Sequence, residues 1–270
     1  ITSLEPLRGM PLQTLVCEFC DIGSLEPLRG MPLTMLICNG NKIESLEPLT
    51  GMSLNLLGCY ENKIENLEPL RGMLSLSALY CNANRIQSLE PLRDIALVTI
   101  NCSGNRIESL EPLRHAPLTV LHAGDNRIQS LEPLNGMHLT MLSCHANRIK
   151  SLKPLEHMQL AALTCGANEI NSISAFIKKP PDDFRFDCDT IPTHELEWVQ
   201  QTWSRDFRFS THARNTEVLL ALRKNDLNKL RELAAPFNGH RYLFIPKFLR
   251  WDEAKKFCED LGGHLLTVTS

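Results

Sequence analysis

Ten cysteines in 270 residues are the first chemistry this chain offers. Thiolates hold zinc or exchange disulfides, and spacing decides which. Cys17, Cys38, Cys59, Cys81, Cys102, Cys144 and Cys165 fall in one phase, 21 or 22 residues apart, with Ala123 in the one position that lacks a cysteine. Cys17 and Cys20 are alone in their Cys-x-x-Cys spacing, so no second pair completes a tetrahedral zinc site. Neighbouring members of the column sit one strand apart with parallel side chains, a poor geometry for a disulfide. The column therefore reads as small buried hydrophobes, a structural role for Cys38, Cys59, Cys81, Cys102, Cys144 and Cys165. His122 and His145 lie in adjacent periods, and a metal there would need Asp125, the only nearby carboxylate, as third ligand. No metal is expected. No phosphate-binding loop, His-Glu-x-x-His, Gly-x-Ser-x-Gly or kinase catalytic loop occurs, and His194-Glu195 lacks a second histidine. Neither a catalytic residue nor a cofactor is expected in this chain.

The elements that position these residues follow from the same period. Asn41, Asn62, Asn84, Asn105, Asn126, Asn147 and Asn168 repeat at one phase, and Cys20 stands at the first such place. The single 22-residue spacing reflects one extra residue near Leu74-Ser75. Leu36 and Cys38 are two apart, so both point to one face of a short strand while Ile37 points to the other. Stacked at about 4.8 Å, about eight such strands make a parallel sheet roughly 35–40 Å long. The asparagines lie where the chain leaves the strand and can satisfy backbone groups of the turn. Pro48 has no N–H for an inner strand, and its fixed φ suits a short 3₁₀ or irregular return segment.

The phrase Asn41-Lys42-Ile43-Glu44-Ser45-Leu46-Glu47-Pro48-Leu49 resembles the leucine-rich repeat family, and looks most like the short repeats of bacterial internalins. The resemblance covers residues 1 to about 173. It implies an α/β solenoid with its parallel sheet on the concave face and short 3₁₀ or irregular convex segments. It also implies that a protein partner meets the concave strand face. The outward columns there read Val16, Ile37, Gly58, Tyr80, Asn101, His122, Ser143, Thr164, and then Glu18, Asn39, Tyr60, Asn82, Ser103, Gly124, His145, Gly166. From these, Tyr60, Tyr80 and Phe19 are expected as aromatic anchors for the partner, with Asn101, His122 and His145 beside them. In this register Tyr60 and Tyr80 would be neighbours.

Composition divides the chain. Phe19, Tyr60 and Tyr80 are the only aromatics before residue 172, whereas all three tryptophans lie beyond it. Residues 1–173 are expected to form the solenoid. Residues 174–212 then form a C-terminal cap with a short helix near 194–203, and 213–238 a helical connector closed by a linker at 235–239. The chain opens inside the repeated phrase, which reads as an N-terminal truncation. In residues 239–270, Tyr242, Trp251, Ala254, Cys258, Gly262, Gly263, His264 and Leu265 resemble the start of a C-type lectin-like domain. That resemblance implies a disulfide for Cys258 with a cysteine beyond this chain. The family's calcium and sugar motifs also lie later in such a domain.

Net charge is −3, which gives no electrostatic case for nucleic acid, and no run of 18 apolar residues offers a membrane span. The expectation is a non-catalytic scaffold that binds a protein. The alternatives are a sensor segment of a larger bacterial serine/threonine kinase, and carbohydrate recognition by the completed lectin-like domain. A thiol column favours a reducing compartment, the lectin-like resemblance a secreted or surface one, and the compartment stays open.

Overall fold

The computed structural model describes residues 2–176, 180–186, 191–203, and then 220, 221, 224, 226, 229, 232, 233, 235–237 and 240–242. The chain forms two compact units, Ile1–Asp187 and Cys188–Ser270.

The first unit is a leucine-rich repeat solenoid. Its strands are β1 Thr14–Val16, β2 Met35–Ile37, β3 Leu56–Gly58, β4 Ala78–Tyr80, β5 Thr99–Asn101, β6 Val120–His122, β7 Met141–Ser143, β8 Ala162–Thr164 and β9 Asp183–Arg185. They pair in sequence order, all parallel, in one nine-stranded sheet. Each strand is only three residues long because the chain must leave the sheet, return and come back within about 21 residues.

The Ser-Leu-Glu-Pro-Leu phrase explains the return. The Ser109 Oγ accepts the Glu111 N–H at 3.1 Å, and Asn66 plays the same part for Glu68 at 2.7 Å. The turn then runs as a 3₁₀ segment such as Glu111–Leu113, with Leu113 N–H donating to the Leu110 carbonyl. Proline sits where a missing N–H costs nothing. Its ring is buried in these turns from Glu26–Leu28 through Lys153–Leu155. After every such turn but Lys153–Leu155 a residue at positive φ follows, Gly136 at 78° for example, and swings the chain back toward the next strand.

Leucine and isoleucine from each return and each strand fill the interior. Ile107, Leu110, Leu113, Leu118 and Leu121 are all buried, each a burial worth about 1.5–3 kcal/mol. The extra residue is Leu74, which is 69 % exposed. It bulges between the 3₁₀ turn and β4, so both the strand register and the asparagine turn survive it.

The cap departs from expectation in one respect. The cap residues Asp183-Phe184-Arg185 form β9, extending the sheet by a strand that was not expected. Phe184 stands opposite Leu163, so Phe-x-Phe takes the place of Leu-x-Cys. Phe176, Phe184 and Phe186 are buried against one another, the first pair T-shaped with ring centres 5.3 Å apart and the second tilted at 4.6 Å.

The second unit contains α1, Thr193–Trp203, on which Leu196 and Val199 are buried. Residues 235–237, expected as linker, instead form strand β10 (Ala235–Phe237), antiparallel to β11 (His240–Tyr242). Asn238-Gly239 between these two segments is a hairpin signal in the sequence. Most of the connector helix, and the lectin-like stretch apart from 240–242, lie outside the described residues.

Candidate strand-face binding site

Strand alternation fixes what faces outward. The middle residue of each strand points into the core, and Leu36, Leu57, Leu79, Ile100, Leu121, Leu142 and Leu163 are buried. The first and third residues face out. Register places Val16, Ile37, Gly58, Tyr80, Asn101, His122, Ser143 and Thr164 in one row. One residue further on, the ladder cysteine turns inward again.

The ladder cysteines Cys38, Cys59, Cys81, Cys102, Cys144 and Cys165 are buried, and Ala123 fills the remaining place at the same depth. Burial pushes the thiols of Cys102 and Cys144 up to about 12, and those of Cys59 and Cys81 well above the usual range. Such thiols stay protonated and unreactive at neutral pH. Cys17 is only half-buried, and its thiol is pushed up to about 11, by burial first.

The asparagines close each repeat onto its neighbour. Asn105 Oδ1 accepts the Ile86 N–H at 2.9 Å, while its Nδ2 donates to the carbonyls of Cys81, Cys102 and Ser103 at 3.0–3.2 Å. Asn41, Asn62, Asn84, Asn126, Asn147 and Asn168 make the same sets. Just before each asparagine the chain takes a left-handed conformation, at Gly40, Glu61, Ala83, Gly104, Asp125, Ala146 and Ala167, and Phe19 does the same before Cys20.

The face divides into two zones. At one end Phe19, with φ 49° and 65 % exposed, lies over Gly40 and meets Tyr60 in a T-shaped arrangement at 6.3 Å between ring centres. A side chain at position 40 would occupy the place of the Phe19 ring. Val16, 54 % exposed, and half-buried Ile37 border this corner. The ring contact formed here is Phe19–Tyr60. Tyr80 is half-buried in the neighbouring row, between Gly58 and Asn101.

Further along, the face is polar. His145 Nε2 meets Asp125 Oδ2 at 3.1 Å, and its Nδ1 meets Ser143 Oγ at 3.0 Å. Its ring lies against Gly124, where any side chain would displace it. His122 stands opposite both Asn101 and Ser143, and burial, then the nearby His145, lower its pKa. A serine, a histidine and an aspartate in a hydrogen-bonded row invite comparison with a nucleophile and its base. The neighbouring N–H groups of Cys144 and Ala146 are already bonded to Thr164 and Gly166, so they cannot hold a developing oxyanion. The row fixes the His145 ring on the face. Among the described residues, no group of three or more metal-ligating side chains gathers. No helix among them is long and apolar enough to cross a membrane.

These features place the chain among proteins that carry a parallel strand face on stacked leucine-rich repeats. It is similar to internalin C2 of Listeria monocytogenes, at 26 % identity over 61 % of this chain and 76 % of that one, with a TM-score of 0.58. A second Listeria monocytogenes internalin, InlF, shares the fold at 20 % identity over 74 % of this chain and 68 % of its own, with a TM-score of 0.62. No protein-family profile matches the sequence, and no curated protein does.

Proposed function

We propose that this chain is a protein-interaction scaffold whose strand face receives one protein partner. The observation that carries the reading is the aromatic corner. Phe19 is a large apolar side chain, 65 % exposed, held in a left-handed conformation that a bulky residue adopts only at a cost. It packs edge-on against Tyr60, and exposed aromatic pairs of this kind are frequent anchors of protein interfaces. Tyr80, Asn101, His122 and His145 extend the contact area along the face.

The solenoid supports this role because every repeat is tied to the next by main-chain and asparagine bonds, so the face is presented without an ordering cost. The test is a photo-reactive amino acid placed at position 80 or 101, and for comparison at position 93 on the return turns. A discrete adduct in the producing cell or its surroundings is expected from 80 and 101 only. Adducts from 93 alone, or none from the strand face, would remove the proposal. Once the partner is in hand, Tyr60→Ala should weaken it by about tenfold or more, as truncating an interface anchor does.

A further inference from the structure

Charge is distributed unequally between the two faces of the solenoid. Count the outward residues of each strand and the two that follow the ladder position, from Thr14, Val16, Glu18 and Phe19 to Ala162, Thr164, Gly166 and Ala167. None of them in the eight repeats is lysine or arginine. Three are acidic: Glu18, Glu61 and Asp125. Asp125 has His145 as its partner.

Elsewhere on the solenoid, carboxylates are mostly neutralised. On the return turns Glu5, Glu26, Glu90 and Glu111 each hold the arginine three residues on, at 2.6–2.8 Å, and Glu68 holds Arg71. Along the edge Lys42 reaches Asp21, Lys63 reaches Glu44, and Lys150 reaches Glu169. Glu18 and Glu61 have no cation among the described residues. Asn39 Nδ2 donates to Glu18 Oε1 at 2.6 Å, which orients that carboxylate without neutralising it.

These two carboxylates flank the aromatic corner. Glu18 precedes Phe19 and Glu61 follows Tyr60 in the chain, and the Phe19 ring lies over Gly40 in the repeat between them. Exposed aromatic faces attract guanidinium and ammonium groups, and more so with uncompensated carboxylates at hand. We infer that the aromatic corner docks a basic segment of the protein partner, an arginine or lysine seated on Phe19 and Tyr60 between Glu18 and Glu61. This rests on the strand-face reading above and names the chemistry of its partner. Acidic segments are repelled there, because no lysine or arginine among the described residues pairs with the two carboxylates.

The test pans a random twelve-residue peptide library on the intact chain. Recovered peptides should be rich in arginine or lysine beside an apolar residue. Their affinity should fall by about tenfold in the double variant Glu18→Gln/Glu61→Gln and in Phe19→Ala, and should weaken as salt rises to about 0.5 M. Glu47→Gln, an exposed carboxylate on a return turn, should leave affinity unchanged. All altered side chains are partly or fully exposed, and circular dichroism checks that each variant folds. Acidic or uncharged peptides, binding that survives the double variant, or no retained peptide would overturn the basic-segment inference while leaving the strand-face reading standing. Peptides indifferent to Phe19→Ala, Tyr60→Ala and Tyr80→Ala alike would remove both.

Discussion

Gly40 is the residue on which the aromatic corner depends. Its φ is 61°, and the Phe19 ring fills the space where a side chain would be. Gly40→Ala should therefore cost about 1 kcal/mol from the left-handed backbone alone, read from urea unfolding. It should also displace Phe19 from Tyr60, which the near-ultraviolet circular dichroism of the two rings would report. The cysteines make a second residue-scale prediction. Among the described cysteines, Cys17 and Cys20 are half-buried while Cys38, Cys59, Cys81, Cys102, Cys144 and Cys165 are buried, so a thiol reagent should modify Cys17 and Cys20 before the other six. The rate at Cys17 should climb with pH up to about 11, as its thiolate fraction grows. Prompt labelling of the six buried thiols in folded protein would mean that the interior is open.

At the scale of the repeat, the asparagine is the element's central part. Asn105 satisfies one N–H and three carbonyls at once, so Asn105→Ala leaves several polar groups unpaired between two repeats. A loss of about 2–3 kcal/mol in unfolding free energy is expected, since unpaired buried groups cost about 1–3 kcal/mol each and water recovers part. An effect below measurement error would show that water replaces the side chain at no cost. The repeat was legible in the sequence because each of its parts has one job. Ser109 caps, Pro112 tolerates a lost N–H, Asn105 closes the turn and Leu121 fills the core. Strand β9 was not legible, because Phe184 and Phe186 abandon the Leu-x-Cys spelling while keeping its alternation. The hairpin of β10 and β11 was missed because Pro236 in a strand reads as a breaker. On the strand face the rows could be read from spacing. The Phe19–Tyr60 contact could not, because it needs the ring of Phe19 to fold back over Gly40. Nor could the seat of His145 on Gly124, between Asp125 and Ser143.

At the scale of the whole first unit, the return turns set the response to acid. The bidentate arginine beside each of Glu5, Glu26, Glu68, Glu90 and Glu111 holds its carboxyl below the ordinary 4.5. A carboxyl whose pKa is lowered on folding contributes stability above its unfolded value, and loses it as pH falls through the folded value. The urea midpoint should therefore be flat from neutrality to about pH 5 and decline below it. These groups lie at the surface, so the decline should be shallow and should flatten in high salt. A steep collapse above pH 5 would point to another titrating group.

The bulge at Leu74 carries a consequence for descent. One residue was accommodated there without shifting either the strand register or the asparagine turn, and the frames on both sides fit the same neighbours. A gene written in such interchangeable frames is a substrate for unequal recombination, which adds or deletes whole cassettes while each copy keeps its own outward residues. Alleles of this gene should then differ in length by steps of one repeat rather than by scattered insertions. Amplifying the repeat region from many isolates would show a ladder of such steps.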